Sequence, residues 1–93
     1  MMKDIKLHEL LNKVGICPPK GLINSRIKNI SFNSKDVEKE SLFLGLNGTK
    51  VDGGIYCKDA INNGAVAAII SKEAEKINGE INYEKVLVLD GPL

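Results

Sequence analysis

The sequence predicts an α/β domain with a mainly parallel sheet of about four strands and flanking helices. Short, unbroken apolar runs, typical of strands buried on both faces, alternate with segments that carry apolar residues at helical spacing. Because parallel strands need crossover connections, this alternation favours βαβ units over hairpins. At 93 residues, 43% hydrophobic and 27% charged, the chain has globular composition and suits one small domain with one core.

The first half of the chain predicts one helix and two strands. Helical spacing of leucines predicts an amphipathic helix with Asp4 as its N-cap and Gly15 at its end. A connector with two adjacent prolines follows, since proline cannot continue a helix. Alternating apolar and polar residues predict a strand over residues 27–32 with one covered face, and the run 42–46 predicts a strand buried on both faces.

The second half begins with a loop that contains three glycines, residues 47–54. Asp52 is placed to cap a helix over about residues 53–63, which Gly64 would end. The apolar face of this helix would carry Tyr56, Cys57, Ala60 and Ile61. Three further elements are expected in the order strand, helix and strand: residues 66–70, residues 71–78 with Ser71 as the cap, and residues 86–89.

Charge and composition exclude several classes of partner. Thirteen basic residues oppose twelve acidic ones, and Arg26 is the only arginine, which argues against a nucleic-acid-binding surface. The longest apolar run, residues 65–70, is far too short to span a membrane, and the first residues do not resemble a secretory signal. We therefore expect a cytoplasmic protein whose two cysteines, Cys17 and Cys57, remain reduced.

The chain offers no credible catalytic or metal-binding constellation. His8 is the only histidine and has no obvious partner at helical spacing, which predicts a solvated or edge position. Gly48 and Gly53 have the spacing of P-loop glycines, but Gly54 and Ile55 stand where a lysine and a hydroxyl residue are required. An ATP site is therefore not expected in this chain.

The glycine loop leaves two interpretations open. It joins a buried strand to the start of a helix, which is where open α/β sheets bind ligands. Loop amides, the helix N-terminus and Lys50 would all favour an anion, which predicts a phosphate or diphosphate site. The same glycines also suit a tight turn that needs positive φ and binds nothing.

A long ordered run carries a family resemblance. It begins with Asn-Ser-Lys-Asp-Val at residues 33–37, continues over residues 41–56 and falls in step again at Ala60 and at residues 64–67. This run resembles the Mur ligase N-terminal pattern, roughly D-S-R-x-V-x-P-G-x-L-F-V-A-x-x-G-x-x-x-D-G-H-x-F-I followed by A and G-A-x-A. The departures are Asn33 for Asp, Lys35 for Arg, Lys39-Glu40 for Pro-Gly and Gly54 for His.

The resemblance implies that residues 1–93 form a domain holding the uridine-diphosphate end of a peptidoglycan precursor. ATP, magnesium and the incoming amino acid would be bound by separate central and C-terminal domains, which this chain lacks. No cofactor and no catalytic residue are then expected here, and the chain alone should have no ligase activity. The implied substrate contacts are Phe32, Ser34, Thr49, Lys50 and Val51, with Gly48, Asp52 and Gly53 supporting the loop.

Within the family, residues 6–11 are similar to the opening helix of the member that adds diaminopimelate or lysine. The implied partner is UDP-N-acetylmuramoyl-L-alanyl-D-glutamate. Two alternatives stay open: the member that adds D-alanyl-D-alanine, and a free-standing α/β interaction domain without ligand chemistry. Because the chain ends a few residues after its last predicted strand, we expect it to be part of a longer protein.

Overall fold

The computed structural model describes residues 5–45 and 53–89. In chain order the elements are β1 Ile5–Lys6, α1 Leu7–Lys13, β2 Arg26–Ile27, β3 Asn29–Ser31, β4 Ser41–Leu44, a 3-10 helix Gly53–Tyr56, α2 Cys57–Asn62, β5 Ala65–Ser71, α3 Lys72–Asn78 and β6 Val86–Leu89. No helix within these ranges is long and apolar enough to cross a bilayer.

The main sheet has four parallel strands in the order β3-β4-β5-β6, so each strand pairs with the next along the chain. Right-handed crossovers that always step in the same direction place their helices on one face of the sheet. Buried residues of α2 and α3 accordingly pack in the same cluster. The predicted fold class is confirmed.

Two hydrophobic clusters, one on each face of the sheet, replace the single core expected from chain length. Leu42 and Phe43 are neighbours on β4, each 1% exposed, and they belong to different clusters because successive side chains point to opposite faces. Leu42 packs with residues of α1, and Phe43 packs with residues of α2 and α3. β4 is therefore buried on both faces, as predicted.

The predicted strand over residues 27–32 is wrong in two respects. Lys28 divides it: Arg26–Ile27 pairs antiparallel with β1, whereas Asn29–Ser31 pairs parallel with β4. Its covered face is also absent, since Ile30 is 37% and Phe32 62% exposed. The physical reason is that β3 is an edge strand of the sheet, so its side chains have neighbours on fewer sides.

The helix ends were predicted in part. α1 begins at Leu7 with Lys6 as its N-cap, because residues 5 and 6 are extended in β1; Asp4 lies outside the described residues. Gly15 follows α1 with φ of 83° and Gly64 follows α2 with φ of 127°, as their predicted stopping roles require. Ser71 caps α3 as predicted, since its Oγ accepts a hydrogen bond of 3.1 Å from the Ala74 amide.

The predicted helix over residues 53–63 starts as a 3-10 turn and becomes α-helical at Cys57. Tyr56 holds the N-cap position of α2 and makes no side-chain capping bond. The proposed cap Asp52 lies outside the described residues. Cys57 and Ala60 are buried as the apolar spacing predicts, whereas Tyr56 is 43% exposed.

Candidate functional site at the carboxyl end of the sheet

A cavity of about 490 Å³ lies beside the carboxyl ends of β3 and β4 and the first turn of α2. It is lined by Phe32, Asn33, Ser34, Lys35, Phe43, Tyr56 and Asp59. Parallel sheets present their ligand sites at this edge, because strand ends and helix starts meet there. The cavity therefore lies at the edge of the sheet where open α/β sheets bind ligands.

The wall after β3 is a turn organised by Asn33. Its Oδ1 accepts a hydrogen bond of 2.9 Å from the Lys35 amide, and its carbonyl accepts one of 3.1 Å from the Asp36 amide. Ser31 Oγ also donates to the Asn33 carbonyl, at 3.0 Å. An aspartate supplies the same acceptor oxygen, so Asn33 preserves the turn where the family pattern has Asp.

A further hydrogen bond ties this turn to α2. Asn63, the C-cap of α2, donates from Nδ2 to the Ser34 carbonyl at 2.9 Å. Ser34 itself is only 8% exposed. The turn and the helix therefore face each other across the cavity with their separation fixed by a direct bond.

The structure brings together two of the predicted substrate contacts, Phe32 and Ser34, in this one cavity. Gly53, predicted to support the loop, begins the 3-10 helix. The remaining predicted contacts and supports lie outside the described residues: Gly48, Thr49, Lys50, Val51 and Asp52.

The elements on either side of the glycine loop contribute to the cavity, and β4, before the loop, lines it through Phe43. Gly45, directly after β4, donates a hydrogen bond of 2.8 Å to the Ile69 carbonyl of the neighbouring strand. On the other side, the 3-10 helix Gly53–Tyr56 lines the cavity through Tyr56. The loop therefore joins two elements that border the cavity.

Sequence reasoning missed two residues that line the helix side of the cavity, Tyr56 and Asp59, and it missed Asn63, which ties α2 to the turn after β3. They stand at positions i, i+3 and i+7, which places them on one helical face. Tyr56 was assigned to the apolar face of this helix, next to Cys57. The polar residues at the i+3 and i+7 positions were the signal that this face meets solvent or a ligand.

Among the described residues that line the cavity, one carries a positive charge and one a negative charge. Lys35 comes from the turn after β3 and Asp59 from α2. Within residues 5–45 and 53–89, neither the Lys35 ammonium nor the Asp59 carboxylate forms a hydrogen bond or an ion pair. Both charged residues line the cavity.

His8 lies elsewhere and has a structural role. Its Nε2 lies 2.8 Å from the Leu22 carbonyl, so this nitrogen carries the proton and donates, and its backbone amide donates to Asn24 Oδ1 at 2.9 Å. These bonds hold α1 against the connector. Among the described residues, no group of three His, Cys, Asp or Glu side chains is arranged to hold a metal ion.

Both cysteines are free thiols in the structure. Cys17 is exposed, whereas Cys57 is fully buried under α2. Burial raises the pKa of the Cys57 thiol above its ordinary value, and the nearby Lys58 ammonium only partly opposes this. Cys57 is therefore a core residue and not a nucleophile.

Residues 26–91 match the family model described as "Mur ligase family, catalytic domain". The chain belongs to the Mur ligase family. The matched range contains the whole parallel sheet and every residue that lines the cavity. The family resemblance drawn from the sequence is confirmed.

Several proteins named UDP-N-acetylmuramoyl-L-alanyl-D-glutamate--2,6-diaminopimelate ligase are similar to this Mur ligase chain. The protein from Prochlorococcus marinus subsp. pastoris is 54% identical over 99% of the chain. Those from Synechococcus sp. strain WH7803 and Thermosynechococcus vestitus are 36% and 37% identical over 94% and 82%. The chain spans only 18%, 17% and 16% of the lengths of these three relatives.

Proposed function

We propose that this Mur ligase domain binds the uridine-diphosphate end of UDP-N-acetylmuramoyl-L-alanyl-D-glutamate. The observation that carries the proposal is the cavity at the carboxyl end of β3 and β4, which joins Phe32, Ser34 and Lys35. The names of the similar proteins contain the same precursor, which supports this choice of substrate. The D-alanyl-D-alanine-adding alternative lacks that support.

Each part of the nucleotide has a chemically suitable partner in the proposal. The Phe32 ring is 62% exposed, so it offers a face on which uracil can stack. The Ser34 hydroxyl offers a hydrogen bond to the nucleotide. In the glycine loop, amides of Thr49, Lys50 and Val51 and the Lys50 ammonium would neutralise the diphosphate, with Gly48, Asp52 and Gly53 shaping the loop.

In the whole protein, the proposed reaction is ATP-dependent amide formation through an acyl phosphate in the cytoplasm. ATP and magnesium would be bound by other domains, and this chain would contribute substrate binding and no catalytic group. We therefore expect no amino-acid-dependent ATP hydrolysis from the 93-residue chain, measured as phosphate release. Hydrolysis above the buffer control would contradict the proposal that ATP binding and catalysis belong to other domains.

Isothermal titration of the 93-residue chain with UDP-N-acetylmuramoyl-L-alanyl-D-glutamate tests binding directly. We expect measurable heat, amide shifts at residues 49–53, and about tenfold weaker binding for Phe32→Ala because a stacking surface is lost. Ile77→Ala is the matched control, since Ile77 is 67% exposed on α3 and does not line the cavity. Absence of both heat and shifts would favour an interaction domain without ligand chemistry.

A further inference from the structure

We infer that the α2 side of the cavity recognises the nucleoside, with Tyr56 as a second aromatic wall for uracil and Asp59 as the acceptor for a ribose hydroxyl. This inference rests on the proposed function, because it concerns the same cavity. It adds Tyr56, at the end of the 3-10 helix, and Asp59, in α2, and it makes the site selective for a ribonucleotide.

The assignment of Tyr56 as an aromatic wall follows from two exposed rings that line one cavity. Phe32 comes from the end of the edge strand β3, and Tyr56 comes from the end of the 3-10 helix. They are 62% and 43% exposed, whereas Phe43 on the adjoining strand is 1% exposed and belongs to the core. Two rings from different elements can hold a flat base between them, and the buried Phe43 adds apolar surface to the same cavity.

The assignment of Asp59 follows from charge. A carboxylate repels a diphosphate but accepts hydrogen bonds from vicinal hydroxyls, as acidic residues do at the ribose in dinucleotide-binding folds. Within the part of the chain that the structure describes, the Asp59 side chain has no protein partner. Lys35 on the opposite wall carries the charge that suits the diphosphate. The two charges thus give the nucleotide one orientation.

The helix geometry keeps the two groups together. Tyr56 and Asp59 are three residues apart, so they lie on the same helical face one turn apart. Asn63 continues that face, and its bond of 2.9 Å to the Ser34 carbonyl fixes the face relative to the opposite wall. A base at Tyr56 and a ribose at Asp59 therefore match the order of groups in a nucleotide.

The test compares UDP with 2′-deoxy-UDP as titrants of the 93-residue chain. We expect the wild type to bind UDP about tenfold more tightly, the effect of one hydrogen bond to a charged group. Asp59→Asn should reduce this preference to about twofold or less, because the charge that strengthens the bond is lost. Glu73→Gln, an equal charge change on α3 outside the cavity, should leave it unchanged.

A second pair of variants tests the aromatic wall. Tyr56→Leu should weaken binding of both titrants about tenfold, whereas Tyr56→Phe should retain wild-type affinity. If the wild type binds neither titrant, the proposed function and the inference both fail. If the wild type binds UDP but Asp59→Asn keeps its ribose preference, or Tyr56→Leu binds normally, only the corresponding part of the inference fails.

Discussion

Glu40 has a backbone conformation that its side chain disfavours. Its φ is 63°, and no other non-glycine residue in the described ranges has positive φ. The Mur ligase pattern has glycine at this position, so the departure noted in the sequence coincides with a residue in the left-handed region. The Glu40 carbonyl accepts a hydrogen bond of 2.8 Å from the Lys28 amide, which connects the turn to the start of β3.

Replacing Glu40 with glycine should stabilise the domain by about 1 kcal/mol, because glycine adopts this φ without a Cβ clash. The lost Lys28–Glu40 ion pair, 3.4 Å between Nζ and Oε2, offsets this only slightly, since the two side chains are 50% and 40% exposed. Urea unfolding followed by circular dichroism measures the change.

Glu40→Gln is the control for the Glu40→Gly comparison. It removes the charge and keeps the Cβ, so its difference from Glu40→Gly isolates the backbone effect. A Glu40→Gly variant no more stable than Glu40→Gln would contradict a strained backbone.

At the scale of elements, a hydrogen bond at Asn63 joins the turn after β3 to α2. The turn after β3 is held by its own Asn33 bonds, and α2 packs on the sheet through Cys57 and Ala60. The hydrogen bond from Asn63 Nδ2 to the Ser34 carbonyl connects these two units across 29 residues of sequence. Such a contact depends on packing and not on local sequence preference.

Asn63→Ala should reduce the free energy of unfolding by about 1 kcal/mol, because the Ser34 carbonyl loses its donor. Asn63→Asp should be at least as destabilising, since a carboxylate cannot donate and its charge is unfavourable at a helix C-terminus. Both variants should shift the amide resonances of the turn in nuclear magnetic resonance spectra.

Asn62→Ala serves as the comparison for the Asn63 variants. Asn62 is exposed in the same helix and does not line the cavity, so its change should stay within about 0.5 kcal/mol. Equal losses at positions 62 and 63 would show that the bond to Ser34 contributes nothing specific.

At the scale of the molecule, one sheet forms the inner wall of both hydrophobic clusters. Ile27 is fully buried in the cluster that contains α1, and Ile70 is fully buried in the cluster that contains α2 and α3. Adjacent residues of β4 and β5 belong to opposite clusters, so neither cluster can separate from the sheet alone. The two clusters should therefore unfold in one cooperative transition.

Ile27→Val and Ile70→Val should each lower the free energy of unfolding by about 1 kcal/mol, the cost of removing one buried methylene. For each variant, far-ultraviolet circular dichroism and tyrosine fluorescence should report the same shift in the urea midpoint of unfolding. A shift in the dichroism midpoint for Ile27→Val, with an unchanged fluorescence midpoint, would show that the clusters unfold independently.

The elements that were predicted well have strong local sequence patterns. The run Val86-Leu87-Val88-Leu89 predicted β6 with its observed bounds, and Ser71 marked the start of α3 through its capping hydroxyl. The edge strand was predicted poorly because alternation alone cannot show whether a face is covered. Local patterns also could not predict that Lys28 divides this strand, since the division depends on the pairing of Ile5–Lys6 with Arg26–Ile27.

The sequence by itself determined the parallel α/β class, the helix stops at Gly15 and Gly64, and the family, because these depend on local periodicity, backbone preference and an ordered motif. The tertiary structure alone decided that Tyr56, Asp59 and Lys35 line the same cavity as Phe32 and Ser34. It also decided that Asn63 joins the two walls. The reason is physical: residues far apart in sequence become neighbours only through strand order and helix packing, which local patterns do not specify.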